Sequence, residues 1–183
     1  MMKYKIRLNY LLTFLLFGFF SCETNSDEPP RFFYGNYNLQ AITMNQELDL
    51  NNDGVSSTNF LEEVEGVSLV INTRMTLVEE EIDELFFPLF TSNILTTTNN
   101  IPIIRFGAEN IRLLVEFDEV SDTFEIVNES GQSTNASENI LGITLIDQLT
   151  VEIEVEKPVY NYAVNDWVEV LTTYRFVRGG FMP

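Results

Sequence analysis

Histidine is absent from this chain, and cysteine occurs once, at Cys22. Without histidine there is no Ser-His-Asp or Cys-His nucleophilic machinery. Without a second cysteine there is neither an intrachain disulfide nor a thiolate metal site of the usual zinc kind. Basic residues are scarce too: 10 Lys and Arg stand against 28 Asp and Glu, a net charge of −18. The first 21 residues hold three of those ten and no acid, so the remainder sets seven basic residues against 28 acidic ones, a net charge of −21. Its single lysine is Lys157, and its six arginines are scattered. Such a body repels polyanions, which excludes nucleic acid as a partner and makes an anionic lipid surface a poor one. Carboxylates, hydroxyls and one amine are left for chemistry. Paired-carboxylate hydrolysis needs one raised pKa and a separation of about 5–9.5 Å. The acids fall mainly on faces expected to be wet, so no pair is singled out, and the chain reads as a binding or structural protein rather than an enzyme.

Long apolar runs are also few, and the one that matters comes first. Lys3, Lys5 and Arg7 precede an apolar stretch from Tyr10 to Phe20, interrupted by Thr13 and Gly18. A cationic start followed by a run shorter than the ~20 residues of a membrane span is the grammar of a signal peptide. Ser21-Cys22 at its end resembles the lipobox of bacterial lipoproteins, in which the cysteine thiol is acylated and becomes the first residue of the processed chain. Cys22 is therefore the expected lipidation site, residues 1–21 a lipoprotein signal peptide, and the membrane a partner through the N-terminal lipid. Residues 22–31, polar and ending in Pro29-Pro30-Arg31, read as an extended tether. Acidic Glu23, Asp27 and Glu28 close behind the cysteine resemble the surface-export signal of Bacteroidota lipoproteins. The expected location is the outer membrane, facing the periplasm or the cell surface.

Residues 32–183 are long enough for one domain that buries about 70% of its unfolded surface. FFYGNYNLQAITM (32–44) reads as a first long strand with Phe33, Tyr37, Leu39 and Ala41 on one face. Ser57, Thr58 or Asn59 is placed to cap a short helical turn over 60–64, with Glu62 and Glu63 at its positive end. Strand periodicity follows at Val67, Leu69 and Ile71. LFFPLF (85–90) carries Pro88, which predicts an edge strand or a packed loop. Alternation returns in IRLLVEFD, in DTFEIV, and most cleanly in Leu149, Val151, Ile153 and Val155 against Thr150, Glu152, Glu154 and Glu156. In the last segment Trp167, Glu169, Leu171, Thr173 and Arg175 share one face, and Val168, Val170, Thr172, Tyr174 and Phe176 the other. Seven to nine strands with almost no helix predict an all-β fold, an antiparallel up-and-down barrel or a β-sandwich.

Asp49-Leu-Asn51-Asn-Asp53-Gly54 spaces three oxygen-bearing side chains two residues apart and puts glycine sixth, which is how calcium loops begin. Phe60 stands at the twelfth position, where such a loop needs a bidentate Glu. The segment reads either as a calcium site on Asp49, Asn51 and Asp53, with Glu62 or Glu63 completing it, or as an Asx-rich loop bonded to its own backbone.

The longer stretch DLNNDGVSSTNFLEE resembles the segment after the first strand in lipocalin-like lipoproteins of Bacteroidota. Gly35-Asn36-Tyr37 is similar to the lipocalin Gly-x-Trp signature, with Tyr for Trp. The resemblance implies a lipocalin-like antiparallel barrel, with Arg175 or Arg178 of the last strand packing over the Tyr37 ring beside Gly35 to close it. It also implies an interior able to hold a small hydrophobic ligand, for which Tyr37, Leu39, Phe117, Phe124, Trp167 and Tyr174 are the expected wall. The alternative is a filled barrel serving as an accessory subunit of an outer-membrane complex, which an exposed aromatic patch of Phe32, Phe33, Tyr34, Tyr160 and Tyr162 would favour.

Overall fold

The computed structural model describes residues 32–64, 74–78, 83–98, 101–127 and 139–179. Cys22, the signal peptide, the tether and the periodic segment 67–71 lie outside the described residues. Nine strands form one sheet: β1 (Gly35–Leu48), β2 (Ser57–Asn59), β3 (Arg74–Val78), β4 (Asp83–Thr98), β5 (Ile101–Asp118), β6 (Thr123–Ile126), β7 (Ile140–Asp147), β8 (Thr150–Asn161) and β9 (Asp166–Arg178). One helical turn, α1 (Phe60–Glu63), follows β2, and the Asn59 side chain accepts from the Leu61 N–H to cap it. Every neighbouring pair is antiparallel, in the order β1-β3-β4-β5-β6-β7-β8-β9, and β1 pairs again with β9. The sheet therefore closes into an eight-strand up-and-down barrel, with no second sheet among the described residues to make a sandwich, and short β2 lies along the free half of β1. Closure removes the sheet edges that would otherwise pair with other chains.

The inward faces follow the sequence phases with one interruption. On β8, Val151, Ile153, Val155 and Val159 are buried while Glu154 and Glu156 are exposed. Leu149, expected on the dry face, is exposed because the β7–β8 turn has already turned it outward. On β9, Val170, Thr172, Tyr174 and Phe176 point in, and Trp167, Glu169 and Arg175 point out. On β1 the register against β9 shifts between Leu39 and Ala41, so the buried phase changes from odd to even, and Ile42 and Met44 take the interior instead of Ala41. An extra residue at this point flips every later side chain to the other face.

Pro88 sits inside a 16-residue strand rather than in an edge strand or a loop. The β3 partner of β4 ends at the Thr76↔Phe86 pair, two residues short of it. β3 runs on to Arg74, but among the described residues no β3–β4 ladder pair forms at Pro88, so its missing N–H breaks no ladder there.

Candidate functional site

At one end of the barrel Gly35, Tyr37 and Arg178 meet. Tyr37 pairs with Arg178 across the β1–β9 seam and is fully buried, its hydroxyl donating to the Phe33 carbonyl. Burial pushes the Tyr37 phenol up, opposed by the positive charge of Arg178. The Arg178 guanidinium donates to the carbonyls of Phe32 and, at 2.7 Å, Tyr34, which ties the start of the domain to its last strand. Gly35, at φ +146°, passes so close that a Cβ there would lie 3.2 Å from Arg178 Nε, so side chain and backbone conformation both call for glycine. Arg175 is not part of this constellation. It points outward and pairs with Glu152 of β8 at 2.5 Å.

Around this end the interior is solid. Phe33, Phe117 and Phe124 pack with ring centroids 4.5–5.4 Å apart. Tyr37 and Phe124 are buried in this core, with Leu39 and Phe117 packed against it. With Tyr174, which belongs to the same core, five of the six expected wall residues thus fill space rather than line it. The five aromatics weighed as a docking patch do not form one: Phe33 and Tyr160 are buried, Tyr34 and Tyr162 half-buried, and only Phe32 is exposed.

The other end carries an open cleft. β6 is four residues long, and β7 leaves β8 at the Ile140↔Val155 pair. Past Val155 no described strand joins β8 on that side. Next to this gap lies a cavity of about 480 Å³, lined by Leu89, Phe90, Val155, Lys157, Pro158 and Trp167 together with the polar Thr91, Ser92 and Asn139. Trp167 faces outward but reaches this rim, stacked edge-on against Tyr160.

Lys157 supplies the one charged group of the lining. It continues the inward phase of β8, and its Nζ crosses the barrel to lie 2.8 Å from the Phe90 carbonyl of β4 and 2.8 Å from the Tyr174 hydroxyl of β9. The Tyr174 oxygen also accepts from the Phe90 N–H at 3.3 Å. Rings of Phe60 and Tyr174 face Nζ at 5.3 Å, within cation–π range. Among the described residues no carboxylate pairs with it. Desolvation in this aromatic setting lowers the Lys157 pKa to about 7, and burial raises that of Tyr174. Phe60, from α1, is positioned by the Asn59 cap and packs on Phe90 and Phe106.

Scans with protein-family models and searches of curated proteins and solved structures give no match to this chain. The site is therefore read from its own geometry.

The Asp49–Gly54 loop covers the same end. Asp49 is buried and spends both carboxylate oxygens on backbone donors, Asn52 N–H at 2.7 Å and Gly54 N–H at 3.1 Å. Asn51 and Asp53 bond to each other, and Asp53 accepts from Val55 N–H. Buried Glu63 turns back to accept from Leu50 N–H at 3.0 Å, and burial raises its pKa. Among the described residues no group of three or more acidic, His or Cys side chains is gathered to hold a metal ion. The loop is also an anchor: Tyr162 N–H donates to the Asp49 carbonyl, and Asn161 accepts from Asp49 N–H, which fixes the β8–β9 turn against it.

Proposed function

We propose that this chain is a lipid-anchored extracytoplasmic lipoprotein of lipocalin-like type, held to the outer membrane through acylated Cys22, whose barrel binds one small, mainly apolar molecule beside Lys157. The cavity carries this reading. At about 480 Å³ it falls within the ~300–1,000 Å³ range of small-molecule sites. Its walls are Leu, Phe, Val, Pro and Trp, with Thr91, Ser92, Asn139 and a single amine as the polar groups, a lining that suits a mainly apolar body bearing polar substituents. A barrel filled along its whole length would not support the reading. The −21 charge of the processed chain would keep the domain off the anionic surface to which the lipid fastens it. Two or three acyl chains, at ~0.8 kcal/mol per buried methylene, are enough for a lasting anchor.

Native mass spectrometry of the full-length protein, expressed in a lipoprotein-processing host and extracted in detergent, tests both halves. The expected spectrum is a chain beginning at Cys22, carrying its acyl mass and releasing one small molecule on activation. An unacylated Cys22 contradicts the anchor. A protein that holds no small molecule, and takes none from a membrane-lipid extract, contradicts the binding.

A further inference from the structure

The Tyr174 hydroxyl is fully buried, and its hydrogen-bond partners among the described residues are the Phe90 N–H and Lys157 Nζ. Nζ donates to that hydroxyl and to the Phe90 carbonyl, each at 2.8 Å. A neutral Lys157 keeps both donated bonds and leaves its lone pair for the cavity.

The surroundings agree. The groups facing Nζ are Phe60 of α1, Phe90 of β4 and Tyr174 of β9, none of them anionic. The acids of the neighbouring strand positions, Glu156 and Glu169, lie on the outer face.

From this geometry we propose that Lys157 is a nucleophilic amine that captures aldehyde-bearing apolar ligands in the cavity as an imine, with the Tyr174 hydroxyl as its proton relay. The inference rests on the cavity being a binding site. Nζ attacks the carbonyl carbon as the C=O π pair moves to oxygen. Tyr174 gives its proton to that oxygen and recovers one from the nitrogen, leaving a carbinolamine. Loss of the hydroxyl as water, with the remaining N–H proton, forms C=N. Aldehyde and amine become imine and water with no change in oxidation state. Buried lysines of lowered pKa are the usual Schiff-base formers.

Octanal with cyanoborohydride, followed by peptide mapping of the full chain, tests this, with calorimetric binding of octyl alcohol as the companion measurement because the alcohol has the tail without the carbonyl. The expected result is one octyl group on Lys157, added at pH 7 on the order of 10-fold or more faster than to Nα-acetyl-lysine, suppressed by excess octyl alcohol and absent in Lys157→Arg. Tyr174→Phe, which keeps the ring, should slow labelling several-fold. Octyl alcohol binding without a Lys157 adduct overturns the imine proposal and leaves the cavity reading intact. Labelling no faster than the free amino acid also overturns it. Failure of both alcohol and aldehyde to bind overturns the two readings together.

Discussion

Lys157→Met raises stability at pH 6 by about 1–3 kcal/mol and leaves it close to wild type only above about pH 10.5, because an apolar chain of similar length removes a desolvated cation that has no counter-charge among the described residues. An unfolded lysine keeps its proton up to about 10.5, whereas folded Lys157 gives it up at about 7. Between those values the unfolded state binds the additional proton, so the lysine's penalty fades as pH rises through this window. Below about 7 both states are protonated and the penalty is present in full. The carboxylates titrate alike in both proteins, so the wild-type minus variant difference in urea midpoints isolates the lysine. A difference independent of pH would mean that Nζ is solvated.

Arg178→Ala costs about 2–3 kcal/mol in chemical denaturation. The substitution deletes charge-assisted bonds to the Phe32 and Tyr34 carbonyls and uncovers the seam where Tyr37 is buried. Lysine at 178 recovers less than half, since one ammonium cannot reproduce a planar fork that reaches two carbonyls. Arg175→Ala serves as the internal control. Its ion pair with Glu152 is half exposed on the arginine side, and such pairs are worth only ~0–1 kcal/mol. Equal losses at 175 and 178 would contradict the assignment of Arg178 as the closing residue.

The two arginines illustrate what the sequence discloses and what it withholds. Period-two alternation along β8 and β9 is a local property, so inside and outside can be told apart from residue order alone. Arg175 shares the phase of Trp167, which already places it on the outer face. Tyr174 and Trp167 stand in opposite phases, so they cannot belong to the same wall except where a strand ends, and Trp167 reaches the cavity only at its rim. The shift between Leu39 and Ala41 carries no comparable signal, because one extra residue in β1 is defined by its partner β9. Pro88 signals an edge or a loop, yet it stands inside β4, between β3 and β5, where only the β3 ladder stops short of it.

The cavity is the least legible feature. Its lining comes from β4, β8 and β9 together, beside the last described β7–β8 pair at Ile140 and Val155, which is a long-range juxtaposition. Lys157 does leave a trace. It falls in the same phase as Val151, Ile153, Val155 and Val159, so a charged side chain stands in the dry register of the cleanest strand. What residue order withholds is its neighbourhood, since Phe60, Phe90 and Tyr174 come from three other elements. Conversely, the oxygen spacing from Asp49 to Asp53 suggests a metal, while the side chains are turned onto their own backbone and onto the β8–β9 turn.

Whether the barrel is hollow at the Lys157 end is tested most directly by titrating the protein with an environment-sensitive apolar dye, N-phenylnaphthylamine, alongside Leu89→Trp. Leu89 is buried against the cavity, and the larger ring occupies that volume while thermal unfolding reports that the barrel persists. A hollow barrel predicts saturable one-to-one binding by the wild type, displaced by octyl alcohol, and a loss of at least ~10-fold in affinity for the filled variant. Saturable binding of equal strength by both proteins, or none by the wild type, would contradict it.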